Sequence, residues 1–63
     1  MQENYYFVEN NSSLSGLFEL LNEYGFDYEC EEYYPVPEGY IEIHVWYYPD
    51  EIWDLEDIFA PYV

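Results

Sequence analysis

Apolar residues recur along this chain with two different periods, and each change of period falls at turn-forming residues. Residues 4–9 read Asn-Tyr-Tyr-Phe-Val-Glu, aromatic and β-branched, and predict a short strand. After Asn10-Asn11-Ser12-Ser13 the period lengthens. Leu14, Leu17, Phe18 and Leu21 stand at i, i+3, i+4 and i+7, which predicts a helix over residues 14–24. Ser12 or Ser13 is placed to cap its start, and Gly25 suits the left-handed position that ends it. Ser15, Glu19, Asn22 and Glu23 take the wet side.

Residues 26–34 alternate. Tyr28, Cys30, Glu32 and Tyr34 share one face; Asp27, Glu29, Glu31 and Tyr33 share the other. Only the first set suits a core, and Glu32 interrupts it, as an edge strand tolerates. Residues 40–48 give the strongest strand pattern. Ile41, Ile43, Val45 and Tyr47 lie on one face; Tyr40, Glu42, His44, Trp46 and Tyr48 lie on the other. The Pro-Val-Pro-Glu-Gly link between these strands is short enough for a hairpin. Residues 50–60 predict a second helix with Asp50 as N-cap and an apolar stripe of Ile52, Leu55, Ile58 and Phe59. Pro61 stops it.

The order β-α-β-β-α predicts a small α+β domain spanning residues 1–63. Its simplest assembly is a three-stranded antiparallel sheet in spatial order first, third, second strand, reached by a right-handed crossover through the first helix. Both helices then cover the Ile41/Ile43/Val45 face. The opposite face stays open, rich in tyrosine and acids.

Charge changes the picture most. The 63 residues include 15 Asp or Glu, one His and no Lys or Arg, for a net charge of -15. Direct nucleic-acid binding needs cations for the phosphates, and binding to anionic lipid needs a polybasic segment. Neither is available. No apolar run reaches the ~20 residues of a membrane span. The polar, acidic start Met1-Gln2-Glu3-Asn4 is unlike a signal peptide, and a single cysteine allows no internal disulfide, so a cytoplasmic location is expected. Hydrophobic residues form 51% of the chain, which separates it from disordered acidic tails. No side-chain ion pair is expected, so burial and hydrogen bonds must confine fifteen like charges.

Candidate chemistry is sparse. His44 and Cys30, expected as a surface histidine and a core cysteine, fall short of a metal's ligand set. Asp27-Tyr28-Glu29-Cys30-Glu31 alternates acids but lacks the glycine and final ligand of a calcium loop. Paired carboxylates can hydrolyse glycosides, but a domain this small has no room for a substrate cleft. No catalytic triad or phosphate loop is present. The chain is therefore expected to be no enzyme and to hold no cofactor or metal.

The magnitudes point to mimicry. Duplex DNA carries one charge per ~1.7 Å of axis, so fifteen charges match ~25 Å of duplex. A compact domain of this length has a radius of gyration of ~11 Å, hence a similar span. Such a protein can occupy a groove that normally holds nucleic acid, and its field speeds the encounter. Tyr33, Tyr40, Trp46, Tyr48 and Trp53 fall on faces expected to be exposed, where they can stack on a partner's arginines.

A very short, cysteine-poor, Lys/Arg-free, tyrosine-rich acidic domain resembles the phage-encoded DNA-mimic inhibitors: anti-CRISPR proteins, anti-restriction proteins and inhibitors of uracil-DNA glycosylase. The resemblance covers the whole chain and lies in size and composition. These inhibitors have unrelated folds, so no residue carries over by alignment. The resemblance implies an anti-CRISPR that occupies the duplex or PAM-reading site of a CRISPR effector in a bacterial cell. An acidic immunity or antitoxin protein, an inhibitor of another DNA-binding enzyme such as a restriction enzyme or uracil-DNA glycosylase, and a small acidic adaptor are the alternatives. A monomer is expected, with a dimer as the alternative. The expected contacts are Asp27, Glu29, Glu31, Glu42 and Trp46 on the sheet and Trp53, Asp54, Glu56 and Asp57 on the second helix.

Overall fold

The computed structural model describes residues 1–31 and 36–63, with the side chain of Glu31 outside that description. The chain forms β1 (Gln2–Glu9), α1 (Leu14–Tyr24), β2 (Asp27–Glu31), β3 (Tyr40–Tyr47), a 3-10 turn (Pro49–Glu51) and α2 (Ile52–Phe59). The three strands pair antiparallel in the order β1-β3-β2, with β3 central. This is the α+β arrangement and strand order that the alternation predicts. The positions 32–34 of the third predicted segment, and with them Glu32, Tyr33 and Tyr34, lie outside the described residues.

Strand parity decides the two sides of the sheet. Ile41, Ile43, Val45 and Tyr47 of β3 are all buried, as is Val8 of β1. Leu14, Leu17 and Leu21 of α1 and Leu55, Ile58 and Phe59 of α2 close over them. Tyr6 of β1 stacks on Phe59 at 3.8 Å between ring centroids, which seats α2 on the β1 side. Phe18 stacks on Tyr28 at 5.4 Å, which seats α1 on the β2 side. Both helices thus share one face, and among the described residues no further layer covers the other.

The helix ends show where local rules held and where they yielded. Gly25 takes the left-handed conformation at φ 79°, with Phe26 N–H donating to Leu21 O and Gly25 N–H to Asn22 O, so α1 ends as its glycine requires. Its start is capped differently from the expectation. Neither serine side chain caps it; Asn11 Oδ1 accepts from Ser13 N–H at 2.9 Å and from the Ser13 hydroxyl. Asp50 is not the N-cap of α2. It sits inside the 3-10 turn, and Glu51 reaches back to accept from Tyr48 N–H at 2.9 Å. The longer glutamate arm spans the turn that Pro49 starts, and α2 begins only at Ile52. Before β3, Tyr40 N–H donates to Pro37 O across a turn with Gly39 at φ 83°, a conformation that favours glycine.

Cys30 corrects the expectation of a core cysteine. It pairs with Ile43 and so shares the helix-side parity, yet it is exposed. Its place is on edge strand β2, beyond Tyr28, the residue of that strand on which Phe18 of α1 stacks.

Candidate functional site

The uncovered face of the sheet is a grid whose rows are set by register. Glu3, Trp46 and Asp27 form one row; Tyr5, His44 and Glu29 the next; Phe7, Glu42 and Glu31 the third; Glu9 and Tyr40 the last. Partners across strands lie about 4.5–5.5 Å apart and alternate residues along a strand about 6.8 Å apart. Carboxylates therefore stand along β2 and at the two ends of the β1 column, with Glu42 on β3, and the rings of Tyr5, Phe7, Tyr40 and Trp46 lie on β1 and β3. Asp27 and Glu29 are exposed on β2, and Glu3 and Glu9 are exposed at the two ends of the β1 column. Between these lie Tyr5, Phe7 and Tyr40, exposed by 56%, 46% and 44%.

His44 sits at the centre. Its ring stacks on Tyr5 at 4.1 Å and lies against Trp46 at 4.0 Å. Its Nε2–H donates to Glu3 Oε1 at 2.7 Å. Only 13% of the side chain is exposed. The expected surface histidine is thus a sandwiched one, hydrogen-bonded to a carboxylate. The missing ingredient was β1, which supplies both Tyr5 and Glu3. Trp46, expected to be exposed, is half-buried for the same reason.

The second group of expected contacts lies elsewhere. Trp53 is 75% exposed on α2, with Asp54, Glu56 and Asp57 exposed around it. Glu56 and Asp57 stand three and four residues beyond Trp53 and share its side of the helix. Because α2 packs on the covered face, these residues point away from the open sheet. Eight of the nine expected contacts fall on opposite sides of a domain measuring 33 × 21 × 16 Å. The structure brings Asp27, Glu29, Glu42 and Trp46 onto one surface, and Trp53, Asp54, Glu56 and Asp57 onto another. Glu31 belongs to the first by register with Glu42. Sequence reasoning missed Glu3, Tyr5, Phe7 and Glu9, whose alternation Glu-x-Tyr-x-Phe-x-Glu carries the signal.

Other chemistry is thin. Among the described residues no group of three or more His, Cys, Asp or Glu is placed to hold a metal ion. A hollow lined by Glu9, Asn11, Ser13, Pro61 and Tyr62 has a volume of about 80 Å³. Ligand pockets usually run to about 300–1,000 Å³, so this one suits a few waters. Among the described residues no helix is long and apolar enough to cross a membrane.

Tyr6 ties the covered face to the charge. Burial pushes its phenol pKa above the usual 10.0; the hydrogen bond from Asn4 Nδ2 at 3.0 Å opposes this, while the Glu56 carboxylate and Tyr47 push the same way as burial. A raised folded pKa means that the contribution is intact below pH ~10 and is lost as pH rises through the folded value. Tyr6→Phe keeps the stack on Phe59 and removes the ionisation. Between about pH 9 and about pH 11 its melting temperature is expected to fall less steeply than the parent's, read by circular dichroism. Parallel slopes would show that Tyr6 does not couple folding to pH.

Comparison with protein-family models, with curated proteins and with solved structures finds no match to this chain.

Proposed function

We propose that the protein is a DNA-mimic inhibitor, an anti-CRISPR that occupies the duplex or PAM-reading site of a CRISPR effector. The observation that carries this reading is charge density. Fifteen net negative charges along a 33 Å axis average one per about 2.2 Å. Duplex DNA carries one per about 1.7 Å, and its helical turn is about 34 Å long. Two unit charges in water interact with thermal energy at about 7 Å, so the protein, like DNA, gathers counterions around it. A basic groove that binds it releases those ions, as it does on binding DNA. The open sheet makes the contact, with carboxylates along β2 and at the ends of β1 and exposed rings on β1 and β3. The α2 surface adds to the field that steers the encounter.

The test is competition. A purified effector with its guide is mixed with labelled PAM-bearing duplex and increasing amounts of this protein, and a gel shift is read. The duplex is expected to be released, with the inhibitor bound in its place and the DNA uncut. A ternary complex that keeps the duplex bound would mean that the protein does not occupy the DNA site.

A further inference from the structure

We propose that the open sheet face is built to receive arginine side chains, in preference to lysine, at the patch formed by Tyr5, Phe7 and Tyr40 with Glu3, Glu9 and Glu42. This deepens the mimic reading and rests on it for the partner's biological identity.

The face already holds one planar nitrogen donor of its own. The His44 imidazole lies between the Tyr5 and Trp46 rings and gives its N–H to the Glu3 carboxylate at 2.7 Å. A flat donor stacked on rings, with a carboxylate at its edge, is also the arrangement a guanidinium favours. The rest of the patch repeats the ingredients. Phe7 pairs across the strands with Glu42, and Tyr40 with Glu9. Tyr5, Phe7 and Tyr40 are each more than 40% exposed, while the chain contains no Lys or Arg to stack on them.

Charge complementarity decides the occupant. A second copy would bring -15 against -15 across an interface with no Lys or Arg on either side. An apolar partner would leave the surrounding carboxylates desolvated. A cationic partner satisfies both rings and acids. Between the two cations, a lysine ammonium is a compact, strongly hydrated point charge. A guanidinium is weakly hydrated, lies flat on a ring and offers paired N–H groups to a carboxylate.

The experiment measures binding of nona-arginine and nona-lysine peptides to the full chain by titration calorimetry at matched salt. The arginine peptide is expected to bind about tenfold more tightly. A Tyr5→Thr, Phe7→Thr, Tyr40→Thr variant keeps residues suited to strands and removes the rings. It should bring the two affinities within about twofold of each other, mainly by weakening arginine binding. Trp53→Ala, on the opposite side, should leave the preference intact. Equal affinities in the parent would overturn the proposal without any variant being made. So would a preference that survives in a folded triple-Thr protein, or a parent dimer that the triple variant dissolves. The DNA competition assay fails or succeeds separately: arginine preference without competition removes the mimic reading alone, and competition without preference removes this one alone.

Discussion

Reversing two charges on the sheet edge, Asp27→Lys with Glu29→Lys, is expected to lower inhibition at least about 100-fold while raising the melting temperature. Both residues are exposed on the open face, opposite Trp46 and His44. Their replacement leaves the core untouched. Inside the free protein the change relieves repulsion, so the variant should melt higher at low salt, and the gain should shrink as salt is added. Against a basic groove the same lysines meet like charge, which costs several kcal/mol across an interface. Stability and inhibition therefore move in opposite directions. The matched reversal Asp54→Lys with Asp57→Lys changes the net charge equally but lies on the far side of the domain. The two surfaces lie on opposite sides of a domain whose shortest extent is 16 Å, and the screening length at physiological salt is about 8 Å, so the α2 charges reach a partner on the sheet only weakly. That variant should lose less than about tenfold, mainly through a slower on-rate. An inhibition titration with circular dichroism on both proteins reads the result. A folded sheet variant as potent as the parent would reduce the open face to a solvated surface.

The contrast between the two variants is a product of the structure. Alternation in β2 already placed Asp27, Glu29 and Glu31 together, and the helical period placed Trp53, Glu56 and Asp57 together. Nothing in either period states the angle between the two groups. That angle came from where α2 packs, which the Tyr6–Phe59 stack fixes. α1 was legible to the residue: it runs over Leu14–Tyr24 because polar Asn and Ser residues precede it and Gly25 follows it. The faces of β1 were not legible. Tyr5 and Phe7 are as apolar as Tyr6 and Val8, so parity within the strand is ambiguous. Pairing with β3 resolves it, since Val8 opposes Ile41 and Tyr6 opposes Ile43 on the covered side. With that register set, Glu3 and Tyr5 arrive beside His44, and an apparently solitary histidine becomes the centre of the open face.

Leu55→Ala is expected to remove most of the fold's stability. Leu55 is fully buried at the middle of α2, packed in the cluster with Ile58, Phe59 and the β3 row. Truncating a buried leucine costs about 2–5 kcal/mol, the spread reflecting how far the site can collapse. A domain of this length has a total stability of roughly 3–9 kcal/mol. This one also confines fifteen acids with no Lys or Arg to pair them, so it belongs near the low end. In a domain this size each kcal/mol moves the melting temperature by about 4–8 °C, which gives a fall of about 8–40 °C. Added salt should recover part of the fall, because screening lowers the repulsion that the thinned core no longer holds. Exposed Trp53→Ala on the same helix, two residues away, should shift the midpoint by only a few degrees. Thermal melts of the three proteins at low and high salt decide it. A Leu55→Ala midpoint within about 3 °C of the parent's would show that α2 is not held by this stripe, and the opposite placement of the two acidic faces would fall with it.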